Sequence, residues 1–404
     1  MDAMVSPSAI RGRIEAPQSK SIAIRLLFAG LLGDVSLEGL QPSDDVSSAV
    51  NAIGRLKEAV RSHHHSLGIL DLKGSGTTLR MLLPVLAFLG IESEIHGDQT
   101  LEQRPLGIIK SWMGENGAHL SSDHLPLRIS GRIATDVVEI SGSESSQYIS
   151  GTIYGLLLTG GGKIRLIPPI RSRAYIEMTC SVLNSIGCSI RYRGMEIDVE
   201  PMDQEARFHG AVPGDFLLSS FYAIASLLTG GEMEISGLVN PQWSSGDSRI
   251  VDIIRSCGAA SSINDGTWKI SVNGDLSPFK EDVEDSPDMA VSLAALSAGA
   301  LGESRILGTH LLGIKESNRN LSISNTLGAF GIEVTTDNEI VIHNTGSYHE
   351  GVVSDWKDHR IAMLGTALAL RSGGLVHGAE AVSKSNPRFF DGLARLGGRF
   401  SLRS

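Results

Sequence analysis

"LNSIGCSIRY", residues 183–192, joins an amphipathic helical run to an alternating one through a single glycine, Gly187. A glycine directly after a helix takes the left-handed conformation that closes the last turn, and a strand can start beyond it. The same pattern occurs in "NAIGRLKEAV", "SWMGENGAHL", "IRSCGAASSI", "LGAFGIEVTT" and "LARLGGRFSL". The six glycines, Gly54, Gly117, Gly187, Gly258, Gly331 and Gly397, are separated by 63, 70, 71, 73 and 66 residues. Six similar units of that size predict two domains of three units each, rather than a solenoid of small repeats. A chain of 404 residues is also too long for one core.

Between the glycines, "GKIRLIPP", "GEMEISGL" and "SRILGTHL" read as strands. Helices are predicted over 21–32, 78–89, 145–158, 215–228, 287–300 and 359–371. Several are apolar nearly all round, which requires burial, and helices wrapped by sheets would provide it. "GAVPGDF", residues 210–216, punctuates the pattern with Gly and Pro and marks the expected break between domains.

Hydrophobic residues make up 41% of the chain and charged residues 20%, an ordinary globular balance. The net charge of −10 argues against nonspecific nucleic-acid binding, so an anionic ligand must be caught by a local cation cluster. Cys180, Cys188 and Cys257 form no CxxC pair and no metal spacing, and are expected to be reduced, buried thiols. "MDAMVSPSAIRGR" lacks an apolar signal region, and "MLLPVLAFLGI" is shorter than the roughly 20 residues of a membrane span. A soluble cytoplasmic protein is expected.

Several helix starts carry anion-binding residue types. In "QSKSIAIR", Ser21 and Arg25 share a helix face at i and i+4, and Lys20 adds charge to the helix N-terminus. "GSGTTLR" (74–80) allows close backbone approach at Gly76 and offers hydroxyls. "LEQRPLG" holds Arg104 before a proline, from which a guanidinium can grip a carboxylate or phosphate. "SGSESSQYISG" brings Ser145, Ser146 and Gln147 to another start, where N-capping is the plainer role for the serines. In "DSPDMAVSLAAL", Asp288 precedes a nearly uncharged helix, where desolvation could raise its pKa. "GIKESNR" groups Lys315, Glu316 and Arg319, the last two at i, i+3 if helical, with a surface salt bridge as the plainer reading. "WKDHRIAM" delivers Asp358, His359 and Arg360, and "SKSNPRFF" delivers Lys384. No set of residues has zinc spacing, and His63–His65 lies in a polar loop stretch. Two carboxylates among many cations suggest acid–base work on an anionic substrate, moving phosphate with no metal or cofactor.

Taken in order, "SKSIAIR", "GSGTTLR", "RPLG", "SGSESSQ", "RSRAYIEMT", "SPDMA", "IKESNR" and "DHRIAM" resemble the motif blocks of the enolpyruvyl transferases, from about residue 14 to about 395. The resemblance is closest to the members that act on shikimate 3-phosphate. It implies a two-domain inside-out α/β barrel, or prism, each domain built of three βαβαββ units, with the active site in the interdomain cleft. One domain would hold residues 1–13 and 214–404 and the other 14–213, with hinges near 12–14 and 210–216. The implied reaction moves the enolpyruvyl group of phosphoenolpyruvate to the 5-hydroxyl of shikimate 3-phosphate, through a tetrahedral adduct that then expels phosphate. Lys20, Gly76, Arg104, Gln147, Arg319, Arg360 and Lys384 would bind phosphoenolpyruvate. Lys20, Ser21, Arg25, Ser145, Ser146, Gln147, Ser172, Tyr175, Asp288 and Lys315 would hold shikimate 3-phosphate. Asp288, Glu316 and Lys20 would be catalytic. No cofactor, nucleic acid or membrane is implied, and the protein would be a monomer.

Gln18, Gly74, Leu311, Ala174 and Arg388 depart from the family pattern, touching affinity more than reaction type. The rival enolpyruvyl transferase, acting on UDP-N-acetylglucosamine, usually carries a loop cysteine that "HGDQTLEQR" lacks. A non-catalytic anion-binding relative would have lost Lys20, Asp288 or Glu316, and an RNA-end-processing cousin would need a basic track.

Overall fold

The computed structural model describes residues 1–238, 241–272 and 274–403. Its contacts divide the chain into two units, Met1–Ser19 with Pro213–Ser404, and Lys20–Val212.

In the first unit the helices Phe216–Leu228 and Met289–Ser297 are buried at every residue. With no polar face to give to water, they must be covered on all sides. Their few hydroxyls are satisfied internally: Ser220 donates to Leu217 O and meets Ser292 Oγ at 2.8 Å across the two helices. Three four-stranded sheets belong to this unit. The first takes Gly351–Val353, Gly374–Val376, Asp2–Ser6 and Arg399–Arg403, so the first and last strands of the chain pair antiparallel, Met4 opposite Ser401. The second takes Ala260–Asn264, Thr267–Ser271, Glu232–Ser236 and Gly12–Glu15; the third Lys280–Asp282, Gly302–Leu307, Ile340–Asn344 and Glu333–Thr335.

The second unit has two four-stranded sheets and one parallel pair, Gly33–Glu38 with Ala206–Ala211. Its central helices are Gly76–Leu89 and Ser146–Thr159. A Cβ on Gly151 would stand 2.3 Å from Met81 O, and one on Gly155 2.3 Å from the Phe88 ring, so only glycine permits that approach. Strands in both units alternate buried and exposed residues, as in Glu232–Ser236. Each unit is therefore α/β, with apolar helices inside and sheets outside.

Five of the six spaced glycines, all but Gly54, have positive φ, Gly187 at 105° and Gly258 at 99° among them. The strand that follows each of the five lies at the edge of its sheet. Gly54 departs from the pattern. It lies inside the helix Asp44–Arg61, because Arg55, Lys57 and Glu58 are good helix formers on a solvated face and carry the helix on to Ser62. The run "SRILGTHL" is only half strand. Gly302–Leu307 is extended, and a 3-10 turn, Thr309–Ile314, begins after the left-handed Gly308.

All three cysteines are buried, and burial pushes their thiols up, Cys180 to about 12 and Cys188 and Cys257 to about 11. They are poor nucleophiles at neutral pH. Among the described residues no helix is long and apolar enough to cross a membrane.

Candidate active-site constellations

In the second unit, Lys20 opens the helix Lys20–Ala29 and pairs with Asp45 Oδ2 at 2.7 Å. Both side chains are nearly buried, at 11% and 4% exposure, so this is a fixed charge pair and not a solvated flank. Arg25 is 1% exposed. Its guanidinium donates to Thr179 Oγ1 (2.8 Å), Ser21 O (2.8 Å) and Tyr175 O (3.0 Å), tying the Lys20 helix to Arg173–Ser185. Ser172 stands at the start of that second helix in a left-handed conformation, φ 56°, costly for a non-glycine residue and held by its buried surroundings. Ser145 caps Ser146–Thr159 by accepting from Gln147 N, while Gln147 Nε2 donates to Thr77 Oγ1 at 3.0 Å. Ser146 is buried beside them.

Gly76 begins the helix Gly76–Leu89, and two guanidinium groups crowd against it. A Cβ there would meet Arg104 Nη1 at 2.5 Å and Arg80 Nη1 at 3.0 Å. Both arginines are nearly buried, 7% and 8% exposed. Two cations gathered at a positive helix N-terminus oppose the macrodipole, and an anion bound there would relieve that opposition. Gly76→Ala is expected to push the Arg104 guanidinium aside without disturbing the fold. If an anionic substrate is held there, its KM should rise roughly 10- to 100-fold, the cost of about one or two charge-assisted hydrogen bonds. Steady-state kinetics on both substrates checks this: an equal rise for both would place the damage elsewhere.

In the first unit, Asp288 occupies the N-cap position of Met289–Ser297 yet makes no capping bond. Its carboxylate faces cations instead: Arg319 Nη1 at 2.7 Å, Lys315 Nζ at 3.1 Å and Arg360 Nη2 at 3.5 Å. Burial alone would raise its pKa, but Lys315, Arg360 and Arg319 together outweigh burial and hold it well below the usual carboxylate range. The desolvated, raised Asp288 expected from the sequence is thus corrected: the apolar helix is behind it and three cations are in front.

Arg319, 1% exposed, is the hub. It donates to Asp358 through Nε (2.9 Å) and Nη2 (3.3 Å), to Asp288, and to Glu316 Oε2 at 2.8 Å. Burial works against its charge, yet Asp358, Glu316 and Asp288 hold its pKa well above the ordinary value. Glu316 precedes the helix Arg319–Ala329, so its pairing with Arg319 is a buried contact made from a turn and not a helical surface bridge. Asp358 caps His359–Ser372 by accepting from Arg360 N at 3.0 Å, which aims Arg360 from the first turn. Lys384 ends the 3-10 turn Ala379–Lys384, half-buried, and forms no ion pair with this cluster.

Sequence reading missed Asp45, Arg80 and Thr179. Asp45 follows the N-cap Ser43 and reads as a first-turn acid favoured by the helix dipole. Arg80 is the last residue of "GSGTTLR", four residues after Gly76, and helical spacing could have placed it on the same face. Of the departures, Gln18 bridges Gly214 through its backbone, and a Cβ on Gly214 would stand 2.4 Å from Ala16 Cβ, which explains that glycine and not the glutamine. Leu311 is buried in the 3-10 turn Thr309–Ile314.

The sequence matches the family model "EPSP synthase (3-phosphoshikimate 1-carboxyvinyltransferase)" over residues 5–393. It is 40% identical to a 3-phosphoshikimate 1-carboxyvinyltransferase of Saccharolobus solfataricus, covering 98% of this chain and 99% of the relative. It is 41% identical to one of Sulfurisphaera tokodaii, covering 99% of each. A solved EPSP synthase structure from Acinetobacter baumannii superimposes with a TM-score of 0.76 over 99% of this chain and 100% of that one, at 21% identity, a likeness of fold.

Proposed function

The chain belongs to the EPSP synthase family, and we propose on that premise that it joins the enolpyruvyl group of phosphoenolpyruvate to the 5-hydroxyl of shikimate 3-phosphate. The observation that carries the reading is Asp288: a carboxylate at a helix N-cap position whose side chain makes no capping bond and lies instead among Arg319, Lys315 and Arg360.

The reaction needs a base for the 5-hydroxyl, an acid for the methylene carbon and fixed cations for two phosphates and two carboxylates. In this reading Lys315, Ser145, Ser146 and Ser172 hold the 3-phosphate, Gln147 and Tyr175 line that pocket, and Ser21 and Arg25 fix the ring. Lys20, Gly76, Arg104, Gln147, Arg319, Arg360 and Lys384 hold phosphoenolpyruvate. Asp288 takes the hydroxyl proton as the oxygen bonds to C2 of phosphoenolpyruvate, and Glu316 gives a proton to C3. The tetrahedral adduct then returns a proton from its methyl group to the Glu316 carboxylate as the bond from C2 to the phosphate oxygen breaks. Phosphate leaves toward Lys20.

The low pKa of Asp288 has a place in this scheme. As each anionic substrate engages Lys315, Arg319 and Arg360, those cations are shared, and Asp288 becomes more basic only when both substrates are present. Base strength is thus withheld until the reactants are assembled. We further propose that the protein acts as a monomer in the cytoplasm, which a single-chain mass by light scattering would support.

The test is phosphate release from phosphoenolpyruvate with each acceptor in turn. Release with shikimate 3-phosphate and none with UDP-N-acetylglucosamine is expected; the reverse would overturn the reading.

A further inference from the structure

A second buried acid, Asp247, lies behind the Asp288 cluster and has no part in the scheme above. It belongs to the first turn of Ser245–Ser256 and is 6% exposed. Ser286 Oγ donates to Asp247 Oδ1 at 2.5 Å. Ser286 is fully buried, lies two residues before Asp288, and its carbonyl accepts from Met289 N, so it helps form the turn that presents Asp288.

The charged groups around Asp247 come from three directions. The helix Phe216–Leu228 brings Asp215, which caps it by accepting from Leu218 N at 2.9 Å. The start of Met289–Ser297 brings Asp288, and His359–Ser372 brings Arg360. The strand Ala260–Asn264 and the turn Pro241–Ser244 carry no ionisable residue. On its own helix, Arg249 pairs with Glu281 and Arg255 with Asp252. Asp215 and Asp288 act on Asp247 as like charges and Arg360 as a cation.

We propose that Asp247 is a positioning residue for the phosphoenolpyruvate-binding face: through Ser286 it sets the Asp288 turn, and any charge it carries draws on Arg360 at the substrate's expense. The inference rests on the reading given under Proposed function. Burial, reinforced by the Asp215 charge, pushes the Asp247 carboxyl up to about 7. Below that pH Asp247 is neutral and Arg360 attracts an incoming anion at full strength. Above it Asp247 is ionised, competes for Arg360 and repels the anion, so affinity falls as pH rises.

The experiment measures the Kd for phosphoenolpyruvate by calorimetry at pH 6 and pH 8.5, on the full chain and on Asp247→Asn, which keeps the shape and cannot ionise. The ligand's own ionisation cancels in the ratio of the two proteins. The ratio of wild-type to variant Kd is expected to rise about tenfold between the two pH values, the size of one charge acting at several ångströms in an effective dielectric near 20. A ratio that stays level overturns the inference, because a purely structural lesion costs the same at both pH values. Should Asp247→Asn not fold, Ser286→Ala serves instead. It removes a hydrogen bond that favours the ionised acid, so the fall in affinity must move to higher pH, and an unmoved profile overturns the inference. Binding is read without turnover, so failure of the Kd ratio is distinct from failure of the wild type to release phosphate, which would sink the proposed reaction.

Discussion

Replacing Asp288 by asparagine is expected to lower kcat by about 10²- to 10⁴-fold, the span ordinarily lost with a general base, while phosphoenolpyruvate and shikimate 3-phosphate bind more tightly. The two effects have opposite signs for one reason. Asparagine cannot accept the hydroxyl proton, and it also releases Lys315, Arg319 and Arg360 from the carboxylate they now face at 3.1, 2.7 and 3.5 Å. Cations no longer engaged by Asp288 are available to substrate anions. Single-turnover kinetics and calorimetric titration separate the two quantities. If affinity and kcat fell together, Asp288 would be a binding or structural group and the base would have to be sought elsewhere.

Arg319→Ala is expected to abolish turnover and to destabilise the protein by about 3–5 kcal/mol, the usual consequence of removing one partner from a buried ion pair. The unit bearing it would lose roughly 10 °C in Tm, at 2–4 °C per kcal/mol for a domain of this size. The guanidinium serves three carboxylates, Asp288, Glu316 and Asp358, and without it they are left facing one another. Their pKa values in the folded state would then lie above their unfolded values. Such a group stabilises the fold fully below its unfolded pKa and loses that contribution as pH rises through the folded one. The variant should therefore recover more stability on mild acidification than wild type does. A double variant with Asp358→Asn should regain much of the lost Tm and none of the activity. A single variant with wild-type Tm would mean that Arg319 is not the hub its contacts describe.

Much of this was legible in the sequence, for reasons that differ by residue. Gly117, Gly187, Gly258, Gly331 and Gly397 betray the fold because a left-handed helix exit strongly favours glycine and a strand follows each one. Gly54 misleads because glycine is tolerated on a solvated helix face, and the charged residues after it favour helix. The clusters at Lys20, Gly76, Ser145, Asp288 and Asp358 are readable because helix starts draw anion-binding residue types and each lies at or beside one. What could not be read is who pairs with whom. Asp45 meets Lys20 from 25 residues away, and Asp358 meets Arg319 from 39 residues away. The pKa of Asp288 was misjudged for the same reason, since its neighbours in sequence are apolar and its neighbours in space are cations. Asp247 sits in "SSGDSR", a run that looks exposed, and only the packing of three helices buries it.

The central claim is addition followed by elimination, with Glu316 delivering a proton to the methylene carbon. Proton NMR of a reaction run in D₂O tests it most directly. Deuterium is expected to enter the vinyl position of the product only when shikimate 3-phosphate is present, and Glu316→Gln is expected to suppress it in proportion to turnover while both substrates still bind. Product formed with no deuterium at the vinyl carbon, or undiminished exchange in Glu316→Gln, would contradict it.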